Sequence, residues 1–252
     1  LALRAVSVGA TILVGLIIGN WVYRRTGSSI AAWVSISLFA SSYHLGAGFL
    51  GLARVDALYL FGLFLTFRIL MKARSISALL FSGFLAGVCF FIKQTAIVIF
   101  LPIMISLIFR IGKKSIYALA SYAGTLLSIV ILFSWQTEGW FLFYIFKVPT
   151  LHRYSAVNVI QFLVQDIFAP FGIAILFVGL FIQKFVIKDI KTISVDSKKV
   201  SLNDLQIAFK FESVNLLLFF IFIFISSWIT RASNGGASNN VIPVYAAVSL
   251  LV

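Results

Sequence analysis

The sequence contains few acidic residues, a single cysteine and little charge of either sign. Of its 252 residues, 7 are Asp or Glu, while charged residues together make up 11% and hydrophobic residues 62%. The mean hydropathy is +1.10. These values exclude an ordinary soluble domain and are typical of a helical protein that crosses a membrane several times. The only cysteine, Cys89, lies inside an apolar run, which excludes a disulfide framework and a cysteine-based metal site.

The basic residues greatly outnumber the acidic ones, with a formal net charge of +13. In a soluble protein this excess would indicate nucleic acid. Here the cations stand mostly between apolar runs, so membrane topology and anionic lipid headgroups explain them better. No nucleic-acid partner is therefore predicted. The sequence also contains no nucleotide-binding, haem or zinc motif.

Nine apolar runs predict an all-α polytopic membrane protein with about nine transmembrane helices. The chain starts at Leu1 rather than Met and ends inside an apolar run, so we expect an internal piece of a longer protein. We treat residues 1–252 as a single transmembrane domain. The nine runs are Ala5–Tyr23, Ile30–Leu50, Ala57–Met71, Ile76–Ile92, Ala96–Phe109, Ile116–Trp135, Phe168–Ile187, Val214–Ile229 and Val241–Val252.

The cations predict an orientation. Most of them follow the first, third, fifth and seventh runs, so this side should be cytoplasmic. The chain would then start outside, with Lys93 on the outer side of what we expect to be a bacterial inner membrane. An aromatic-rich outer segment at 135–155 should lie in the headgroup zone. A polar segment at 188–212 should form a small cytoplasmic loop with a short helix from Ser201.

Four polar clusters fall at predicted helix ends on the outer side, and we expect them to converge on one cavity. They are Arg54 with Asp56, Lys93-Gln94-Thr95, His152 with Arg153, and the loop from Arg231 to Asn240.

Each cluster has a structural and a functional interpretation. Arg54 and Asp56 can form a local ion pair, with Asp56 favoured by a helix dipole. Alternatively, Arg54 binds phosphate while Asp56 binds a sugar hydroxyl, a metal ion or the acceptor. Lys93 can pair with Asp56 or extend to the headgroups, or it can neutralise a departing phosphate.

The same choice applies to the other two clusters. His152 and Arg153 can face headgroups or contact a donor phosphate or an acceptor. The loop with Gly235 and Gly236 can be a flexible turn, or it can bind sugar and phosphate groups with Arg231 as the anion contact.

Three stretches together resemble a known family. ARVDAL at Ala53–Leu58 resembles the A-R-P-D-A-L signature of bacterial relatives of the dolichyl-phosphate-mannose protein mannosyltransferases. LFSGFLAGVCFFIKQTAIVIFLP resembles a span pair of these proteins joined by a T-K-Q-T turn. RASNGGASNNVIPVYAA resembles their late outer loop, with Gly-Gly, Asn and then Pro-x-Tyr-Ala-Ala. The resemblance extends over nearly the whole chain, although Val55 replaces the common proline.

The resemblance implies a C-type integral-membrane glycosyltransferase fold and activity. Such enzymes transfer a sugar from a polyprenyl-phosphate carrier to a glycan, lipid or protein acceptor on the outer face. In this family the first span, the first outer loop and the main catalytic acid would precede Leu1, which leaves Asp56 a supporting role. No cofactor is certain, although a divalent metal ion is possible. The predicted substrate-binding residues are Arg54, Lys93, Gln94, His152, Arg231 and Asn240.

Two other functions remain open from the sequence. One is a transporter or flippase for lipid-linked sugars, although transporters usually show paired repeats and interrupted helices near the membrane midplane. The other is a non-catalytic membrane scaffold whose outer polar residues only meet lipid headgroups.

Overall fold

The computed structural model describes residues 2–188 and 211–252, and these residues are almost wholly helical. Within these two ranges, the only β-type pairing is an isolated antiparallel bridge between Tyr154 and Ser233. The longer helices are α1 (Ala2–Thr26), α2 (Ser29–Leu45), α3 (Val55–Lys72), α4 (Ile76–Ile92), α5 (Ala96–Ile111), α6 (Ser115–Gln136), α7 (Ala156–Ile187), α8 (Glu212–Ala232) and α9 (Ile242–Leu251).

Serine residues cap the starts of several helices. The hydroxyls of Ser28 and Ser75 accept hydrogen bonds from the backbone N–H three residues later, each at 3.2 Å. Ser155 caps α7 in the same way, at 3.4 Å. Each cap satisfies one of the backbone N–H groups that a helix start leaves unpaired. Gly112, with φ of +60°, ends α5 and turns the chain into α6.

The second apolar run, predicted as Ile30–Leu50, is not one continuous helix. Helix α2 ends at Leu45, and a short 3₁₀ turn at Phe49–Gly51 follows. Gly48 has φ of +71°, a left-handed conformation that glycine adopts without steric cost. Hydropathy alone did not show this break, since every residue from Leu45 to Leu50 is apolar or glycine.

The seventh run, predicted as Phe168–Ile187, begins much earlier as a helix. Helix α7 starts at Ala156 and contains two π-helical stretches, at Phe162–Phe168 and Ile182–Ile187. Its first turns carry Asn158 and Asp166, which lowered the hydropathy of this part of the chain. Both side chains have partners in the structure: Asn158 donates to the carbonyl of Ser233 at 3.1 Å, and Asp166 pairs with Arg231.

Among residues 2–188 and 211–252, four helical segments are long and apolar enough to cross a membrane. They are Ala2–Thr26, the α5–α6 stretch Ala96–Gln136, Ala156–Ile187 and Glu212–Ala232. This supports an all-α protein of the membrane type. Fewer segments meet these criteria than the nine crossings predicted, because helices such as α2, α4 and α9 have 17, 17 and 10 residues.

The outer segment predicted at 135–155 is mostly helical and rich in exposed aromatic residues. Trp140–Leu142, a π-helical stretch at Phe143–Lys147, and Val148–Thr150 follow one another after α6. Trp135, Tyr144 and other rings in it are exposed. Of the cytoplasmic segment predicted at 188–212, residues 189–210, with the short helix expected from Ser201, lie outside the described ranges.

The helices alternate between two ends of the bundle. At one end, the indole N–H of Trp21 near the end of α1 donates to Glu212 at the start of α8, and Arg68 near the end of α3 donates to Asn20 at 2.6 Å. We call this the Glu212 end. At the other end, the start of α3 meets the α4–α5 turn through Asp56 and Lys93. We call this the Asp56 end.

Helices α4 and α6 pack closely because α4 carries glycine at two successive turns. A Cβ atom at Gly83 would lie 2.3 Å from the carbonyl oxygen of Ala118, and one at Gly87 would lie 2.7 Å from the Thr125 side chain. Small residues four apart let two helix backbones approach each other, which drives helix association in membranes.

Gly83 therefore provides a test of this packing. We expect Gly83→Ala to lower the free energy of unfolding by about 1–3 kcal/mol, because the added methyl group meets backbone atoms that cannot rotate away. Gly124→Ala in α6 is the matched control, since a Cβ there meets nothing within 4 Å. Unfolding of the purified variants in mixed micelles measures both. Equal stability of the two variants would contradict the close α4–α6 contact.

Candidate functional site

Asp56 is a buried carboxylate at the start of α3. The helix begins at Val55, so Asp56 lies in its first turn, where the helix dipole favours a negative charge. Only 5% of its side chain is exposed. A buried carboxylate is costly unless it is paired with donors or cations, so its partners decide what this end of the bundle can do.

Three side chains from different parts of the chain reach the Asp56 carboxylate. Asn239 donates its amide N–H to Oδ1 at 2.7 Å, and Lys93 Nζ lies 3.5 Å from the same oxygen. Arg54 Nε lies 3.3 Å from Oδ2, an ion-pair contact without hydrogen-bond alignment. One oxygen is thus well satisfied, while the other has charge compensation but no directed donor.

Lys93 connects Asp56 to the loop before α9. Its Nζ donates to Asn240 Oδ1 at 2.8 Å as well as to Asp56, and it lies 5.6 Å from the centre of the Tyr59 ring. Burial lowers the pKa of Lys93 below its ordinary value, while the nearby Asp56 carboxylate acts in the opposite direction. Since an ammonium has three N–H donors, the two acceptors described leave one for a further partner.

The turn that carries Lys93 is held by a second layer of hydrogen bonds. The Tyr59 hydroxyl lies 3.4 Å from Thr95 Oγ1, and Ser226 of α8 donates to the Thr95 carbonyl at 3.3 Å. The Lys93 backbone N–H ends α4 by donating to the Cys89 carbonyl at 2.9 Å. These contacts fix the turn relative to α3 and α8, so the lysine is positioned rather than free.

Asn239 and Asn240 belong to a short 3₁₀ turn, Ser238–Asn240, that precedes α9. Asn239 is buried, at 8% exposure. The two adjacent asparagines thus contact both members of the ion pair. Asn239 donates to the Asp56 carboxylate, and Asn240 accepts from the Lys93 ammonium. The loop before α9 therefore completes the polar cluster of Arg54, Asp56, Lys93, Asn239 and Asn240, which we call the Asp56 cluster.

A second ion pair fixes the other end of the same loop. Arg231 Nε lies 2.7 Å from Asp166 Oδ2, and its Nη1 donates to the Gly236 carbonyl at 3.1 Å. The Tyr245 hydroxyl donates to the Asp166 backbone carbonyl at 2.7 Å. A Cβ at Gly236 would lie 2.5 Å from the Arg231 carbonyl oxygen, so the loop packs directly against the end of α8.

Backbone contacts extend this frame to the aromatic segment. The Asn234 N–H donates to the Arg153 carbonyl at 2.7 Å, and the Ser155 N–H donates to the Ala232 carbonyl at 2.9 Å. The segment that leads into α7 thus lies alongside the loop that leads into α9.

Of the predicted site residues, the structure brings Arg54, Asp56, Lys93 and Asn240 together. It gives Arg231 a separate partner, Asp166. Gln94 is half-buried and His152 is exposed, and among residues 2–188 and 211–252 no side chain hydrogen-bonds to either of their side chains. The Lys93–Asp56 pair that the sequence offered as a structural alternative is present.

One residue of this frame, Asp166, was not predicted, and another, Asn239, was not singled out from its loop. Asp166 stands before a strongly apolar run and was not assigned to any cluster; an isolated acid within an otherwise apolar helix is the signal that marks it. Asn239 was included only as part of the polar loop. The sequence does not distinguish it from Asn240, because which of two adjacent amides faces inward depends on the turn.

The described residues contain no group of three or more His, Cys, Asp or Glu side chains that could hold a metal ion. The Asp56 cluster instead presents cationic donors beside a single carboxylate. Arg54 is half-exposed, at 53%, and its Nε lies 3.3 Å from Asp56 Oδ2 without a hydrogen bond between them. Its remaining guanidinium donors and the third Lys93 N–H suit a phosphate group, which Arg binds in bidentate fashion.

Comparison of the chain with protein-family models, with curated proteins and with solved structures found no match.

A double-mutant cycle tests whether Lys93 and Asp56 depend on each other. We expect a coupling free energy of about 1–3 kcal/mol between Lys93→Met and Asp56→Asn, since each single variant leaves a buried charge without its partner. The matched cycle of Arg54→Met with Asp56→Asn should give at most about 1 kcal/mol, because Arg54 is half-exposed. Unfolding in mixed micelles measures both cycles. Equal coupling free energies in the two cycles would contradict the expectation that the more buried Lys93–Asp56 pair is the stronger one.

Proposed function

We propose that this chain is an integral-membrane glycosyltransferase that takes a sugar from a polyprenyl-phosphate carrier. The observation that carries the proposal is the assembly of the Asp56 cluster. Asp56, Lys93 and the two asparagines come from the three stretches that resemble the polyprenyl-phosphate-dependent transferases. Lys93 and Asn239 lie 37 and 183 positions after Asp56 along the chain.

In the proposed reaction, an acceptor hydroxyl attacks the anomeric carbon while the bond from that carbon to the phosphate oxygen breaks. The hydroxyl proton passes to a carboxylate, and the polyprenyl phosphate leaves with the electron pair. Lys93 and Arg54 stabilise the negative charge that develops on the departing phosphate, and a cation placed beforehand in a water-poor site does this most effectively. Asp56 positions both cations and stays a supporting acid.

The shared carboxylate also supports a binding role for the cluster. Without a ligand, Asp56 compensates one of the two positive charges of Lys93 and Arg54, so the cluster still attracts an anion. A phosphate group can approach the half-exposed Arg54. It then becomes the second anion, beside Asp56, that faces the two cations Lys93 and Arg54. The cluster can accept it without a net excess of negative charge.

We further propose that the Asp56 end faces outward and that the shorter helices also cross the membrane, for nine crossings in total. A 17-residue helix rises about 25 Å, close to the hydrocarbon thickness of ~30 Å. The alternation of helix ends supports this arrangement, and so does the concentration of cations at the Glu212 end. The membrane would then be a bacterial inner membrane, and the acceptor a glycan, lipid or protein on the outer face.

Binding of radiolabelled polyprenyl phosphate to the full-length protein in neutral-lipid nanodiscs tests the proposed site. We expect Lys93→Met to weaken binding by about tenfold to a hundredfold, the loss of one charge-assisted contact. It should also abolish release of radiolabelled sugar from a polyprenyl-phosphate donor. Lys147→Met is the matched control, since this exposed lysine lies in the aromatic segment away from the cluster.

Since Lys93 also stabilises the fold, Arg54→Gln provides an independent variant at a half-exposed position. It should weaken binding while leaving elution and unfolding unchanged. Wild-type binding in both variants would contradict the proposed phosphate contact and leave the cluster a structural ion pair of a scaffold.

Labelling with a membrane-impermeant maleimide tests the orientation. In a Cys89→Ala background, we expect Thr150→Cys to react in intact cells and Lys113→Cys to react only after permeabilisation. Both positions are exposed, so access to the thiol should depend on the side of the membrane alone. The reverse pattern would overturn the orientation.

A further inference from the structure

The Glu212 end of the bundle contains a cavity of about 270 Å³ that the proposed reaction does not use. This is close to the lower limit of ligand pockets, about 300 Å³. It lies between the ends of α1, α3 and α5 and the start of α8. The described residues that line it are Trp21, Arg24, Arg25, Arg68, Met71, Lys72, Arg110, Glu212 and Asn215.

The lining is strongly positive. Of the nine described lining residues, five are Lys or Arg and one, Glu212, is acidic. Within the described ranges, no carboxylate forms an ion pair with Arg24, Arg68, Lys72 or Arg110. Glu212, the one acid among the described lining residues, accepts a hydrogen bond from the Trp21 indole. The cavity thus keeps a net positive charge that the described side chains do not neutralise.

Hydrogen bonds to neutral groups hold two of these arginines in place. Arg68 Nη2 donates to Asn20 Oδ1 at 2.6 Å. Arg110 donates one N–H to the Leu70 carbonyl, and its Nη1 lies 3.3 Å from the Met71 sulfur. Each contact uses part of a guanidinium with five N–H donors, and none of these described acceptors carries a charge. The arginines are therefore oriented in advance for an anion.

The general excess of cations on one side of membrane proteins does not explain this arrangement. That rule concerns loop residues, which are solvated and point in any direction. Arg68 and Arg110 instead lie within helices, are partly buried and share one cavity with the apolar surfaces of Trp21 and Met71. Like charges held together in a partly buried site repel one another, so a bound anion stabilises such a site.

We propose that this cavity binds a phosphate group, held by Arg24, Arg68, Lys72 and Arg110 at the membrane surface of the Glu212 end. Arg–phosphate contacts are commonly bidentate and charge-assisted. Trp21 and Met71 provide an apolar wall for the carbon atoms next to the phosphate. Two sources share this chemistry: the headgroup of an anionic phospholipid and a soluble phosphate ester.

The test uses Arg24→Gln/Lys72→Gln, two exposed cations of the lining without described hydrogen bonds, so the fold should persist. The matched control is Lys113→Gln/Lys114→Gln, which removes the same charge next to α5, outside the cavity. Native mass spectrometry of the full-length protein, purified in neutral detergent, measures retention of phosphatidylglycerol against phosphatidylcholine.

We expect the wild-type protein and the control to retain phosphatidylglycerol preferentially. The Arg24→Gln/Lys72→Gln variant should bind phosphatidylglycerol with an affinity at least about tenfold lower. Competition with glycerol 3-phosphate distinguishes the sources: displacement assigns the cavity to a soluble ester, and its absence assigns it to a lipid. Unchanged affinity in the cavity variant, or an equal loss in the control, would overturn the proposal.

Discussion

The arrangement at one end of this bundle depends on a single buried carboxylate. Asp56 has 5% of its side chain exposed, yet it remains close to two cations and one amide. A charge in such a place must be compensated, and the groups that compensate it come from the α4–α5 turn, the loop before α9 and the residue preceding α3. The need to satisfy one carboxylate therefore fixes how three distant segments meet.

The loop between α8 and α9 is held at both ends by polar contacts of this kind. Arg231 binds Asp166 at its start, and Asn239 and Asn240 bind the Asp56–Lys93 pair at its end. In surroundings with little water, such contacts are the most effective way to order a loop rich in Gly, Ser and Asn. The two ion pairs thus convert a segment that looks flexible by composition into one with a defined position.

The cationic side chains have different partners at the two ends of the bundle. At the Asp56 end, Lys93 and Arg54 share the Asp56 carboxylate and Arg231 faces Asp166, so most of the positive charge of these described residues is compensated without a ligand. At the Glu212 end, Arg68 and Arg110 donate to neutral acceptors, and no described carboxylate forms an ion pair with either of them. If each site binds a phosphate as proposed, the partly compensated Asp56 cluster would release it more readily than the cavity at the Glu212 end.

The sequence alone was sufficient to predict the class of protein and the positions of most helices. A mean hydropathy of +1.10 and the long apolar runs exclude a soluble fold whatever the packing, because hydropathy is a sum over residues. The first, third, fourth and fifth runs match α1, α3, α4 and α5 to within a few residues. The polar start of α7 was missed, since Asn158 and Asp166 become acceptable in a helix only through partners far away in the chain.

For the candidate site too, the sequence predicted one part and the tertiary structure decided the rest. The residue types in ARVDAL, KQT and the Asn-Asn loop indicated an ion pair or a phosphate contact, and local chemistry was enough for that. Tertiary structure alone decided that Lys93 shares Asp56 with Arg54, that Asn239 faces inward, and that Arg231 pairs with Asp166 instead. Pairing between side chains depends on distances between helix ends, and these distances follow from packing such as the Gly83 contact of α4 with α6, not from spacing along the chain.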